Sequence, residues 1–186
     1  MEIASEKAMP RKRHPLSGLM KAVTYRDLVV NKMEIRMANE CDIDGWMNLV
    51  SKVKNHFPGL ETKRALDEHR DTVLGFIYKE SAICARIEDK IIGVLLFSKE
   101  NNILCFLAVD PDYRRQHIAE KMFRFILPHM SAGKTITVTT YRGGVPEGVA
   151  ARALYQKLGF VPGKMTVEFG SEVQEFVMEV AKWQIS

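Results

Sequence analysis

A strand, a turn and a helix follow one another in the middle of the chain, and this order restricts the fold more than any other feature. The apolar run 103–109 is typical of a strand, and an Asp-Pro turn ends it. Apolar residues then recur at helical spacing, at Ile118, Met122, Phe125, Ile126 and Met130. Residues 134–140 alternate threonine with β-branched apolar residues, as a strand does. Because a strand, helix and strand make a crossover, we predict that the strands ending at Val109 and starting at Lys134 are parallel.

Helical and strand periodicities also alternate before this segment. A strand opens at Met33, and Asn39 followed by Asp42 resembles an N-cap with an acidic first turn. Two helices follow, the first ending near Val53 and the second near Lys79. On the second helix, His69 is expected at the edge of the apolar face. Three strands then come at 82–87, 91–97 and 103–109, and their short links predict an antiparallel meander. The third is apolar almost throughout, so we expect both of its faces to be covered.

The C-terminal part adds a helix at about 149–158, stopped by Gly159, and a hairpin whose last strand holds Phe176, Met178 and Val180. The predicted fold class is α/β (α+β), with a central mixed, mostly antiparallel sheet of about six to seven strands and about four helices.

Residues 1–32 differ in charge from the remainder. They carry seven Lys or Arg against three Asp or Glu, which accounts for the whole formal charge of +4. The remainder lacks the broad positive field typical of DNA-binding proteins, so we expect no nucleic-acid partner. We predict one domain at 33–186. Residues 1–32 are interpreted as a basic extension that could be flexible, with a leader, a targeting arm and a start-site artefact left open.

Cysteine and hydropathy patterns indicate the redox state, the metal content and the location expected for the protein. Cys41, Cys84 and Cys105 show neither a CxxC pair nor a metal-ligand spacing with the five histidines. We therefore expect reduced cysteines and no metal. The sequence has no apolar run of about 18 residues or more and no secretory signal pattern, so we expect a cytoplasmic protein with no membrane partner.

The most informative stretch is residues 107–119, LAVDPDYRRQHIA, in which a strand and a turn lead into the start of a helix. The first turn of a helix offers unpaired backbone N–H groups and the positive end of the helix dipole, which both suit a pyrophosphate. The stretch resembles the acetyl-CoA signature of the GNAT superfamily, Gln/Arg-x-x-Gly-x-Gly/Ala, with Arg114 in the first position and Ala119 in the last.

This resemblance implies that the stretch binds acetyl-CoA as a co-substrate. Backbone N–H groups of five consecutive residues would hold the pyrophosphate, namely Arg115, Gln116, His117, Ile118 and Ala119. The strand residues Leu107, Ala108 and Val109 would pair with the pantetheine arm as if it were another strand.

Position 117 departs from the family pattern, because His117 stands where glycine is usual. Glycine there lets the backbone approach the phosphates without a Cβ in the way. The favoured interpretation gives His117 ordinary helical dihedrals and a ring that points outward. Two others stay open: an imidazolium that touches a phosphate, and a side chain that weakens cofactor binding.

A second stretch, residues 150–160 with the sequence AARALYQKLGF, looks like the superfamily helix that ends in Leu-Tyr-x-Lys-Leu-Gly-Phe. The resemblance implies that Tyr155 is the catalytic acid, which would protonate the departing thiolate of CoA. Ordinary packing of an amphipathic tyrosine is the alternative. Many members carry asparagine seven residues earlier, where this chain has Gly148, and this leaves one cofactor or substrate contact open.

The attacking amine must lose a proton, and superfamily members often use a carboxylate on the central strand for this. Residues 103–109 contain none. Glu100, Glu168 and Glu172 are the candidates by position, although a solvated surface position explains each of them better. By resemblance, the connection at 56–61 and the terminal hairpin select the acceptor.

The sequence is therefore identified as a member of the GNAT superfamily, similar to its bacterial-type single-domain N-acetyltransferases. The resemblance implies transfer of an acetyl group from acetyl-CoA to a primary amine by direct attack, the acceptor being a small molecule or a peptide. A homodimer is left open. The alternative is a non-catalytic acyl-CoA-binding or sensing module of the same fold.

Overall fold

A seven-stranded mixed sheet forms the centre of the molecule. The structure, a computed structural model, describes residues 32–179. The strands are β1 (Met33–Met37), β2 (Ala82–Ile87), β3 (Lys90–Ser98), β4 (Ile103–Val109), β5 (Thr135–Tyr141), β6 (Val161–Glu168) and β7 (Ser171–Glu179). Their order is β1-β2-β3-β4-β5-β7-β6, and β4 and β5 are parallel. The predicted fold class and the predicted parallel pair are confirmed. Residues 1–31 of the predicted extension at 1–32, and Val180, which is predicted on the last strand, lie outside the described residues.

Helices cover both faces of this sheet. On one face lie α1 (Ile43–Val53) and α2 (Lys63–Tyr78), and on the other lie α3 (Ile118–Ile126) and α4 (Val149–Lys157). Trp46 and Val73 are buried in the core of the first face, and Met122 and Phe123 in the core of the second. The four helices predicted from apolar periodicity are therefore present.

A short 3-10 helix, Glu40–Asp42, leads directly into α1, and its start is set by its own sequence. The Asn39 side chain accepts a hydrogen bond from the N–H of Cys41 at 2.9 Å, and Asp42 accepts one from the N–H of Asn39 at 2.8 Å. Arg36 on β1 donates two hydrogen bonds to Asp42, at 2.7 and 2.8 Å. The predicted N-cap is confirmed, and a bidentate ion pair ties it to the sheet.

The parallel strands β4 and β5 separate soon after they meet. They pair at one position, Ile103 with Thr137. Between β3 and β4 the register shifts, so that Cys105 is an extra residue between Leu104 and Phe106. Because a bulge bends its strand and increases the twist, β4 turns away from β5 and a cleft opens between them.

The expectation that both faces of β4 are covered is wrong. Ile103 is 37% exposed although it pairs with Thr137, and Cys105 is exposed as well. Both residues border a depression beside Ser98, and Cys105 also lines the cleft between β4 and β5. The periodicity of one strand does not report how the elements around it cover its faces.

Three further features concern the described part of the chain. Cys41, Cys84 and Cys105 are free thiols there. Among residues 32–179, no helix combines the length and the hydropathy that crossing a membrane requires. The same residues contain no group of His, Cys, Asp and Glu suited to a metal ion.

Candidate active site

A large cavity occupies the cleft between β4 and β5. Its volume is about 970 Å³, at the upper end of the range for small-molecule and cofactor sites. Its walls come from β4 and the loop after it, from the first turn of α3, from α4, from the end of β5, and from α2 with the connection before it. The cavity therefore joins the two stretches that carry the sequence resemblance.

All but one of the predicted cofactor residues meet in this cavity. Its lining includes Leu107, Ala108, Val109, Arg114, Arg115, His117, Ile118 and Ala119. Gln116 is not part of the lining, and its Oε1 is buried without a partner in the described structure. The N–H of Lys121 donates to the C=O of His117 at 3.0 Å, which is the first backbone bond of α3. The N–H groups of residues 118–120 therefore have no partner within the helix.

A buried carboxylate holds the loop that leads to this helix. Asp110 is 1% exposed and accepts hydrogen bonds from Lys52 Nζ at 2.9 Å and from the N–H of Asp112 at 3.1 Å. Burial alone would raise the pKa of Asp110, but the bond from Lys52 and the other donors lower it below its ordinary value. Sequence analysis missed this contact because Lys52 lies 58 residues away along the chain.

His117 does not have helical dihedrals, and the favoured interpretation of this position is wrong. Its φ is 60° and its ψ is 17°, in the left-handed region. Its ring Nδ1 lies 3.1 Å from Glu120 Oε2 and 3.2 Å from Lys157 Nζ. Position 117 thus has the backbone that glycine adopts at no steric cost, which accounts for the glycine of the family pattern. Contact with a phosphate and weakened binding both stay open.

Glu120 joins the start of α3 to the end of α4. It accepts hydrogen bonds from Lys157 Nζ and from Arg124, each at 2.9 Å. These bonds, with Lys157 first and His117 second, lower the pKa of Glu120 to about 2. The three-residue spacing of His117 and Glu120 was visible in the sequence. The contact of Glu120 with Lys157 could not be predicted from spacing, because the two residues are 37 positions apart in the sequence.

We expect His117→Gly to raise the free energy of unfolding by about 1 kcal/mol, because a left-handed backbone costs a residue with a Cβ roughly 1–2 kcal/mol and exposed ion pairs offset little of it. His117→Ala is the matched control, since it also removes the ring but keeps the Cβ. Urea unfolding of both variants measures the difference. Equal stabilities of the Gly and Ala variants would contradict a strained backbone at position 117.

Tyr155 lies on α4, lines the cavity and is 6% exposed. Its ring packs against those of Phe160 and Phe176, with centroids 5.7 and 6.0 Å away. Burial raises the pKa of Tyr155, so its hydroxyl keeps its proton at neutral pH. The structure thus brings the predicted acid into the same cavity as the predicted cofactor residues.

Gly148 leaves no room for a side chain. A Cβ at this position would lie 2.7 Å from the Cβ of Tyr141 and 3.1 Å from its carbonyl oxygen. The asparagine that many members carry could therefore be placed here only by moving the end of β5. The cofactor or substrate contact that this asparagine makes in other members is therefore not made by a side chain at position 148.

The segments that the resemblance assigned to acceptor selection also line the cavity. Its lining includes Phe57, Pro58, Gly59, Leu60, Glu168 and Phe169. The Phe169 ring lies 3.0 Å from the position that a Cβ on Gly59 would take, so the β6–β7 hairpin touches the connection between α1 and α2. The two segments share one wall of the cavity, which only the tertiary structure could reveal.

The three glutamates considered as bases have different positions. Glu168 lines the cavity and accepts a hydrogen bond from Thr139 Oγ1 at 2.9 Å. Glu172 pairs with Arg142 at 2.8 Å and is not part of the lining. Glu100 borders a separate depression beside Ser98. Of the three, Glu168 alone can face a substrate in this cavity.

Comparison with known proteins agrees with this geometry. A family model described as an acetyltransferase (GNAT) domain matches residues 79–162. No curated protein matches the sequence. Among solved structures, a GNAT-family acetyltransferase from Bacillus cereus superposes with a TM-score of 0.63 at 16% identity, covering 79% of this chain and 96% of that one.

Two further structures have the same fold. The yncA structure from Salmonella typhimurium, solved with its cofactor acetyl-CoA, gives a TM-score of 0.62 at 13% identity over 81% of this chain and 95% of that one. A spermidine N-acetyltransferase SpeG chimera from Vibrio cholerae and hSSAT gives 0.61 at 13% identity over 83% of this chain and 99% of that one. At identities of 13–16%, the structural similarity shows a shared fold and nothing more. The family model adds independent support, because it matches the sequence itself. The chain has the fold of the GNAT acetyltransferases, and residues 79–162 match the sequence model of their domain.

Proposed function

We propose that this acyltransferase moves the acetyl group of acetyl-CoA to a primary amine by direct attack. The observation that carries the proposal is a single cavity that joins a helix start suited to a pyrophosphate, an open strand edge and a buried tyrosine. The helix start would bind the pyrophosphate, the strand edge would bind the pantetheine arm, and the tyrosine would protonate the leaving thiolate. A cavity that contains all three is suited to acetyl-CoA.

The cavity residues fit acetyl-CoA at three points. The N–H groups at the start of α3, with Arg114, Arg115 and Lys157 in the lining, suit the negative charge of a pyrophosphate. Beyond Ile103, β4 has no paired residue on β5, so residues 107–109 offer a strand edge to an amide-containing arm. The thioester would then lie near the bulge at Cys105, where the backbone N–H groups are turned out of the regular ladder.

Catalysis in such a site would come mainly from positioning and from electrostatics. Holding the amine against the thioester replaces a bimolecular encounter by an intramolecular one. Backbone N–H groups of β4 would polarise the carbonyl as its oxygen becomes negative. Tyr155, which keeps its proton because of burial, would protonate the thiolate of CoA as the carbon–sulfur bond breaks.

We expect acetyl-CoA to raise the melting temperature of the protein, because a ligand that binds only the folded state stabilises it by mass action. The effect is about 2.7 kcal/mol at a concentration ~100 times Kd. CoA and ATP, tested in parallel, separate recognition of the whole cofactor from general binding of phosphate. A thermal shift absent at millimolar acetyl-CoA would remove the basis of the proposed function.

The acceptor requires a screen. Release of CoA from acetyl-CoA would be followed with alkylamines, polyamines, amino acids, aminoglycosides and peptides with free N-termini. Turnover with at least one class supports an enzyme. Stabilisation by acetyl-CoA without turnover in any class would favour the alternative, a module that binds acyl-CoA without catalysis.

A further inference from the structure

We propose that His69 is the base that removes a proton from the attacking amine. This role rests on the proposed acetyl transfer. The sequence analysis assigned the base to no residue. The amine enters as an ammonium and gives one proton to His69 as its nitrogen attacks the thioester carbon. The carbon–sulfur bond then breaks, and Tyr155 protonates the leaving thiolate. The tyrosine regains its proton from the new amide nitrogen, and His69 passes its own to solvent.

His69 has a buried ring nitrogen, Nε2, without a hydrogen-bond partner. Three buried side-chain atoms of the described residues have no hydrogen-bond partner: Trp46 Nε1, His69 Nε2 and Gln116 Oε1. Of these three residues, His69 is the one that lines the cavity. A buried polar atom without a partner costs about 1–3 kcal/mol, so the His69 ring is held here at a cost in stability. Because Nε2 is closed to solvent, the amine would meet the ring through its other nitrogen, Nδ1, which is not among these buried atoms.

Ring packing places His69 next to the strand that would carry the thioester. Its ring centroid lies 4.9 Å from that of Phe106, which in turn lies 4.4 Å from that of Phe57. Phe106 stands on β4 between the bulged Cys105 and Leu107. The imidazole is therefore held by tilted aromatic contacts beside the part of β4 where the proposed reaction would bring the amine to the acetyl group.

The surroundings keep the His69 ring neutral. Burial lowers the pKa of His69, and no neighbouring charge contributes to the shift. On its own helix, Glu68 is exposed and paired with Arg64 at 2.7 Å. On β4, the protein atoms around the Cys105 thiol desolvate it and raise its pKa to about 11, although the residue reaches solvent, so that group is uncharged. His56 is exposed on the connection before α2. A neutral imidazole can accept a proton, and it loses this ability as the pH falls through its pKa.

The carboxylates of the cavity are weaker candidates. Glu68 and Glu147 are exposed, Glu120 accepts hydrogen bonds from Arg124 and Lys157, and Glu168 accepts one from Thr139. Solvated carboxylates have a low proton affinity at neutral pH, whereas an imidazole has a pKa close to the pH of catalysis.

His69→Phe and His69→Gln test this role. His69→Phe keeps a ring against Phe106 and removes both nitrogens, so it should leave stability and acetyl-CoA affinity unchanged or improved. His69→Gln keeps polarity and removes the base. Both should lower kcat at pH 7 by about 10²-fold or more, measured with the amine that gives the fastest CoA release in the screen, or as acetyl-CoA hydrolysis if none reacts. His129→Gln, at an exposed histidine outside the cavity, is the control.

The pH dependence separates a base from a packing residue. The kcat of the wild type should fall with decreasing pH through a pKa below the ordinary ~6.5 of histidine, and both variants should lack this limb. If both variants retain wild-type kcat, or if the wild type shows no such limb, His69 is not the base, while the proposed function stands. Failure of acetyl-CoA to bind the wild type would instead overturn the proposed function itself.

Discussion

Tyr155→Phe should lower turnover by about 10²- to 10⁴-fold, the usual contribution of a general acid. The change removes only the hydroxyl and keeps the ring between Phe160 and Phe176. An interaction that forms mainly in the transition state affects the rate of the chemical step and not the affinity for the cofactor. The melting temperature and the Kd for acetyl-CoA should therefore stay close to those of the wild type. Steady-state CoA release and cofactor titration measure these two quantities.

Tyr78→Phe is the matched control for this experiment, because Tyr78 is 88% exposed and lies outside the cavity lining. It should behave like the wild type in both measurements. Wild-type turnover by Tyr155→Phe, under conditions in which chemistry limits the rate, would assign the tyrosine to packing alone. A sharp fall in stability of this variant would instead reveal a structural hydrogen bond of the hydroxyl.

Phe176→Ala should lower the free energy of unfolding by about 3–5 kcal/mol, as truncation of a buried aromatic side chain usually does. Phe176 is 0% exposed on β7, where its ring contacts Tyr155 and lies 5.0 Å from the Arg152 guanidinium. Its loss would leave a cavity behind the Tyr155 ring, so turnover should fall together with stability. The midpoint of urea unfolding, at an unchanged slope, measures the change.

Tyr78→Ala serves as the control for stability, since removal of an exposed ring should change the free energy of unfolding by less than about 0.5 kcal/mol. Equal effects of Phe176→Ala and Tyr78→Ala would contradict the position of Phe176 in the core. Full turnover by Phe176→Ala at a temperature at which it is folded would show that Tyr155 does not depend on this support.

Local patterns in the sequence determined most of the secondary structure. The N-cap at Asn39 and the helix start at Ile118 depend on residues within a few positions of each other, and so do the apolar stripes of the helices. Short links predicted the meander, and the crossover rule predicted that β4 and β5 are parallel. The sequence also contains two stretches, 107–119 and 150–160, that resemble GNAT motifs. The second of them indicated Tyr155 as the candidate acid.

Tertiary structure decided how these pieces make a site. The bonds from Lys52 to Asp110 and from Lys157 to Glu120, and the tilted ring contact of His69 with Phe106, join segments far apart in the chain. The divergence of β4 and β5 likewise depends on how two separate strands are placed. No periodicity reports such contacts, because periodicity measures only which face of a single element is apolar. The left-handed backbone of His117 is a similar case: a histidine is compatible with a helix, and the need for this conformation arises from the turn that brings the loop after β4 into α3.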